Sequence, residues 1–365
     1  MPIARFPICV SIFALVTAIV TSCPVVATPP AGEMIELTLN GRRIEGTAIA
    51  WSQAAVDLLG RDGHLWEFAP HEATNYKKTS SSFAPYSPSE FRARLLREFG
   101  NDYEVNGTGH YLVTHPKGQR DRWAQRFEDL YRSFVHYFSV RGVRLDTPPF
   151  LLVGIVCRNQ AEFVRIAQSR GTSVSGDVLG YYSQESNQII LFDMEGRNEA
   201  AWQENSAVII HEATHQIAFN TGIHSRCVPT PAWVVEGLAT VFEAPGVYDP
   251  HNHTRPADRI NQGRLESFRK GIAPHHRPEV LTMIVASDEL FRADPGFAYA
   301  EAWALTHFLI ETQPKRYIEY LKRTAARPPF KESTEAERKA DFTAVFGSDW
   351  RMFEARFMRF MSGVK

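Results

Sequence analysis

Apolar and polar positions follow a short period early in the chain and a helical period later. Between residues 34 and 68, IELTLNGRRIEGTAIAW and LWEF place β-prone runs around Asn40-Gly41 and Arg61-Asp62-Gly63. That pattern predicts a small β unit. Residues 71–88 are rich in Ser, Pro, Tyr and Lys and predict a linker or long surface loop. Ser89 to Phe99 predicts a helix capped by Ser89, and Tyr103 to Thr114 a hairpin turned at Asn106-Gly107. From Arg120 to Phe138, Trp123, Phe127, Leu130, Phe134 and Phe138 recur near helical spacing. They predict a long amphipathic helix whose stripe lies in a core.

PFLLVGIVC predicts a buried strand, 159–168 a helix, and VLGYYSQESNQIILFD a hairpin turning near Glu185 to Asn187. The apolar SAVIIHEATHQIAFNTG follows as a helix, and PTPAWVVEGLATVFE starts another near Pro231. Residues 244–280, rich in Pro, His, Arg and Gly, predict an irregular insertion with one short helix. From Pro278 the pattern is mostly helical, with FAYAEAWALTHFLIE its clearest stretch. This mixed order predicts an α+β fold rather than a doubly wound sheet. The expected divisions are a β domain at 31–70, a linker at 71–88, an α+β core at 89–243, the insertion at 244–280 and a helical part at 281–365.

The first 27 residues change the picture of where the chain acts. Arg5 precedes a largely apolar run from Phe6 to Val20, as in a secretory signal peptide. Val25-Val26-Ala27 offers an ordinary cleavage site, whereas Val20-Thr21-Ser22-Cys23 resembles a bacterial lipobox that would leave Cys23 lipid-modified. The expected location is outside the cytoplasm: periplasmic or secreted, or held to the envelope by an N-terminal lipid. Removing the leader leaves two of the four cysteines, Cys157 and Cys227. An oxidising compartment permits a disulfide between them, and two separate buried thiols are the alternative. A formal net charge of −1 with no long basic run argues against nucleic acid as a partner.

The candidate chemistry sits in HEATH. His211 and His215 are four residues apart, so one helical face presents both imidazoles to one point. Two imidazoles suit zinc, and Glu212 beside them can serve a water rather than the metal. A helix with two ordinary histidines is the alternative. Glu236 follows His215 by twenty-one residues, enough for a loop and a returning helix to bring a third donor. Gly237 would let the two helices approach closely, and Trp233 would pack beside the site.

HEATH followed by P-x-W-V-x-E-G-x-A resembles the gluzincin superfamily of metallopeptidases, and more narrowly a bacterial peptidase-like domain family of unknown function. The resemblance implies a zincin-like core, one Zn(2+) per chain, a peptide or protein substrate, His211, His215 and Glu236 as ligands, and Glu212 as base. It implies that GYYSQESNQIILF forms the edge strand along which an extended peptide is aligned. Gluzincins often carry an acidic residue four positions after the third ligand; here that position is Thr240, with Glu243 one turn away as a substitute partner for a histidine.

The expected reaction is peptide-bond hydrolysis by metal-activated water, with internal bonds as targets because no exopeptidase signature precedes HEATH. Tyr299 is the first candidate to stabilise the oxyanion. His307 is the second, about 12 Å further along the same helix. His224 and Arg226 are candidates to line the cleft. His251, His253, His275 and His276 read as exposed histidines of the insertion; a cap over the site or adventitious metal binding is the alternative, and an insertion that covers the cleft would make the activity latent. A zinc-binding domain without turnover, a zinc amidase acting on cell-wall peptides, and a metal-free structural module of the cell envelope are the rival readings.

Overall fold

A computed structural model describes residues 32–118, 123–174, 178–194, 199–272 and 278–365. The leader and Cys23 lie outside the described residues. Two five-stranded sheets come first and a helical half follows. The first sheet contains β1 (Met34–Leu39), β2 (Arg42–Trp51), β3 (Val56–Gly60), β4 (Leu65–Phe68) and β5 (Ala73–Ser80), in the order β4-β3-β2-β1-β5. All neighbours are antiparallel. Asn40 and Gly41 both have positive φ, the backbone that a two-residue hairpin requires. Leu37, Val56 and Leu58 fill the inner face. The expected 71–88 linker is corrected here, because residues 73–80 pair with β1 as β5. Its TNYKKT segment is exposed, and an edge strand with polar side chains has no apolar alternation to read.

The second sheet takes its strands from around three helices. In chain order come α1 (Pro88–Phe99), β6 (Tyr103–Gly107), β7 (Tyr111–Pro116), α2 (Trp123–Ser139), β8 (Leu152–Cys157), α3 (Gln160–Ser169), β9 (Gly180–Ser183) and β10 (Gln188–Phe192). The sheet order is β6-β7-β8-β10-β9, with β8 parallel to both β7 and β10 and the outer strands antiparallel. β9 is therefore an edge. The cap of α1 is Ser87, not Ser89. Ser87 Oγ accepts from Glu90 N–H at 3.3 Å, Glu90 returns a bond to Ser87 N–H at 2.8 Å, and Pro88 suits the first helical position. The β6–β7 turn lies at Thr108 to His110, and Asn106 and Gly107 belong to β6. The α2 stripe is buried as expected, with Phe127, Phe134 and Phe138 fully enclosed.

The helical half holds α4 (Glu199–Asn220), α5 (Ala232–Phe242), α6 (Pro245–Tyr248), α7 (Gln262–Ser267), α8 (Pro278–Ala286), α9 (Glu289–Ala293), α10 (Pro295–Thr312), α11 (Pro314–Ala325), α12 (Glu335–Phe346) and α13 (Trp350–Gly363). This is an α+β, zincin-like core with a helical C-terminal part. α10 is buried almost all round, and its alanines let neighbours come close. Gly237 meets α10 rather than α4: a Cβ there would lie 2.2 Å from Thr306 Oγ1 and 2.7 Å from the Ala302 carbonyl. Asp288 accepts from the first N–H of α5, Ala232, at 3.0 Å and is gripped by Arg338 through two bonds.

Arg226 fastens the first sheet to the β9–β10 turn. Its guanidinium donates to the carbonyls of Gly63 at 2.8 Å and Gln184 at 3.0 Å, and Leu65 N–H donates to Glu185 O at 2.7 Å. Of the two alternatives for Cys157 and Cys227, the structure shows separate thiols. Cys157 is buried at the end of β8 among Phe163 and Phe192, while Cys227 bonds to Asp57 of the first sheet. Different elements hold the two thiols.

Two outcomes follow from the α10 packing. Gly237→Ala overpacks the α5–α10 contact and should lower stability by about 1–3 kcal/mol in chemical unfolding. Gly363→Ala, with open space around it, should not. Glu301 on α10 is fully buried with both carboxylate oxygens unpartnered, and burial, then Glu354, pushes its carboxyl up to about 8. Between its ordinary 4.5 and 8 the folded chain keeps a proton that the unfolded chain has lost. Stability attributable to this group therefore falls as pH rises through that window. Glu301→Gln should show a melting advantage that widens by about 1.4 kcal/mol per pH unit crossed; a pH-independent difference would refute this account.

Candidate metal centre

Two polar rows on α4 build the site. Glu212, Gln216 and Asn220 recur every four residues and face the sheet. Glu212 Oε2 accepts from Tyr182 N–H of β9 at 2.8 Å. Gln216 donates to Val153 O of β8 and Asn187 O at 3.1 and 2.7 Å, and Asn220 exchanges bonds with the Asn187 side chain. These bonds set the rotation of α4. The adjacent row, His211 and His215, then turns toward α5, which carries Glu236.

His211, His215 and Glu236 form the one group of three or more such donors among the described residues that could hold a metal ion. The His211 and His215 Nε2 atoms are 3.1 Å apart, and Glu236 Oε2 lies 3.2 Å from the first and 3.4 Å from the second. Donors on a tetrahedral zinc at about 2.05 Å stand about 3.3 Å from one another. Glu236 Oε2 is buried and no hydrogen bond satisfies it. His211 Nδ1 lies 2.8 Å from Glu243 Oε1, so a proton between them leaves the Nε2 lone pair free for a metal. Triangle, orphaned oxygen and donor chemistry all fit one zinc.

The electrostatics divide two neighbouring carboxylates. Burial alone would raise Glu236, but His215 and His211 outweigh it and hold that carboxyl far below the usual range. Burial raises Glu212, opposed by His211 and His215 and helped by Glu236. Burial works against charge on His211 too, yet the Glu236 and Glu243 carboxylates beside it hold this imidazole well above its ordinary value. Tyr299 stands over the same cluster, its ring centroid 6.2 Å from that of His211. Burial, then the charge of Glu236, raises its phenol far above the ordinary value.

The remaining expected residues divide by position. Glu243 takes the bond to His211, while Thr240 Oγ1 turns back to the carbonyls of Glu236 and Gly237. His224 is 2% exposed, against Phe219, and neither ring nitrogen has a partner. Burial, then His215, pushes it down to about 3. Arg226 is committed to backbone carbonyls of Gly63 and of the β9–β10 turn. Trp233 stacks on Tyr320, and His307 stacks on Trp303 next to Phe360. His251 and His253 do not join the donor group, and His275 and His276 lie outside the described residues.

Asn261 and Arg264 went unread in the sequence because both lie in the insertion. Asn261 Nδ2 donates to Glu243 Oε2 at 2.7 Å and to Thr240 O at 2.9 Å. Arg264 lies over the Tyr299 ring at 5.1 Å. Gln216 and Asn220 could have been found from their four-residue spacing after Glu212. Zinc affinity should fall about 10–100-fold in Glu243→Ala, measured by chelator competition, and change little in Thr240→Val.

No curated protein matches the chain. Solved structures do match, among them a point mutant of the M1 zinc metallopeptidase from Deinococcus radiodurans, at 13% identity and a TM-score of 0.40. The likeness covers 73% of this chain and 52% of that one, so the chain spans about half its length. The donor triad itself is of the gluzincin type, HExxH with a downstream glutamate. Residues 205–331, which include the three donors, Glu212, Glu243 and Tyr299, match the family described as "Protein of unknown function (DUF1570)".

Proposed function

We propose that this chain hydrolyses peptide bonds in a peptide or protein substrate, with one zinc held by His211, His215 and Glu236. The observation that carries the reading is the convergence of these donors beside Glu212, on the helix packed against an edge strand. Zinc bound there supplies Lewis-acid polarisation of a carbonyl and lowers the pKa of water.

The chain's own groups do the rest. Glu212 takes a proton from the attacking water and passes it to the departing amine. Burial makes its carboxylate a better base, and Tyr182 N–H holds one oxygen in place. Tyr299 keeps its proton at neutral pH and donates a hydrogen bond to the carbonyl oxygen as negative charge develops there. β9 pairs with β10 along one side only; its outer side suits an extended peptide. We take internal bonds as the targets and the cell envelope as the location, after removal of residues 1–27 or lipidation at Cys23. No helix among the described residues is long and apolar enough to cross a membrane.

The test is zinc content and cleavage of a peptide library by the purified full chain. One zinc per chain is expected, lost or greatly weakened in His211→Ala and Glu236→Ala. Glu212→Gln should keep zinc and lose about 10²–10⁴ in kcat, and Tyr299→Phe about 10²–10³. Absence of zinc under metal-replete conditions would sink the mechanism. Zinc binding without any cleavage would favour the binding-domain reading.

A further inference from the structure

We propose that Arg264 is a specificity-determining residue: its guanidinium takes a carboxylate of the substrate within one or two residues of the bond that is cut. The proposal rests on the peptide-hydrolysis reading above and adds the chemical class of substrate.

Arg264 belongs to α7, whose start is capped by Asn261, and it reaches Tyr299 and Glu243, the two side chains that stand next to His211. Its guanidinium carbon lies 5.1 Å from the Tyr299 ring centroid, and its Nε lies 3.8 Å from Glu243 Oε2. Glu243 Oε1 is engaged by His211 and Oε2 by Asn261, and Arg264 stands off at ion-pair distance without a hydrogen bond to either oxygen. Among the described residues the Arg264 guanidinium makes no hydrogen bond, and its side chain is 30% exposed.

The structural arginines differ. Arg338 makes two bonds to Asp288, Arg327 two to Asp341, and Arg226 donates to carbonyls on two segments. An arginine presents five N–H donors in a planar fork that matches a carboxylate with two parallel bonds. Apart from the 3.8 Å approach to Glu243 and the Tyr299 ring face, the Arg264 fork keeps its N–H donors without hydrogen bonds among the described residues. Glu236, Glu212 and Glu243 make the rest of this surface acidic, so a carboxylate approaching the site has its complement at Arg264.

Distance limits which carboxylate. The Tyr299 ring centroid lies 6.2 Å from that of His211 and 5.1 Å from the Arg264 guanidinium carbon. An extended chain advances about 3.3 Å per residue. Arg264 therefore meets a side chain or a chain end adjacent to the cleaved bond, either an Asp or Glu side chain or a free C-terminus.

The test uses pools of internally quenched octapeptides in which each position in turn is Glu or Gln, each made with a free and an amidated C-terminus. The wild type should prefer the carboxylate form at one position by about ten- to a hundredfold in kcat/KM. A preference confined to Glu positions identifies a side chain, and one confined to free C-termini identifies the chain end. Arg264→Gln should bring the ratio near one, and Arg264→Lys should retain part of it, with zinc per chain unchanged in both. Anisotropy of labelled versions of the same pools on Glu212→Gln, with and without Arg264→Gln, reads binding without turnover. A preference that survives Arg264→Gln overturns the proposal, as does cleavage or binding indifferent to the carboxylate. Absent cleavage with carboxylate-dependent binding lost in Arg264→Gln would keep this assignment and overturn hydrolysis instead.

Discussion

The structure turns on one buried contact: the Glu236 carboxylate facing two imidazole nitrogens at 3.2 and 3.4 Å. Taking a charge and two polar rings out of water is costly unless each finds a partner. The surrounding elements supply the partners and the geometry. The sheet grips α4 through Glu212, Gln216 and Asn220, which turns His211 and His215 away from it. Gly237 lets α5 lie close to α10, and Asp288 satisfies the start of α5. Glu236 is thereby delivered opposite both rings.

The same enclosure makes two glutamates chemically different. Glu236 faces nitrogens that favour its charge, and its carboxyl is driven down. Glu212 is buried against a strand, with one backbone N–H for compensation, and its carboxyl is raised. A ligand needs the first behaviour and a proton acceptor the second. Around them runs a chain of contacts from His211 to Glu243, to Asn261 and Arg264, and back to Tyr299. The segment after the ligand helices is therefore part of the site's wall.

The first sheet is coupled to this machinery through Arg226, which reaches Gly63 and the turn that carries β9. β9 in turn holds Glu212 through Tyr182 N–H. The small β unit thus supports the strand that orients Glu212, by hydrogen bonds to backbone carbonyls that leave no sequence signature.

By itself the sequence determined what local spacing encodes. Residues four apart share a helical face whatever the rest of the fold does, so His211, His215 and the neighbouring Glu212 were legible, as were the buried stripe of α2 and the β9–β10 hairpin. Glu236 was legible through the resemblance of P-x-W-V-x-E-G-x-A to the gluzincin pattern, at a spacing that permits a loop and a returning helix. Tertiary structure decided what depends on chain segments meeting at a distance. It gave Glu243 rather than Thr240 to His211, paired Gly237 with α10, separated Cys157 from Cys227, and made a polar stretch into β5. It also brought Asn261 and Arg264, from a stretch without periodicity, onto Glu243 and Tyr299. Such contacts arise from packing between elements, and no local pattern of apolar and polar residues records them.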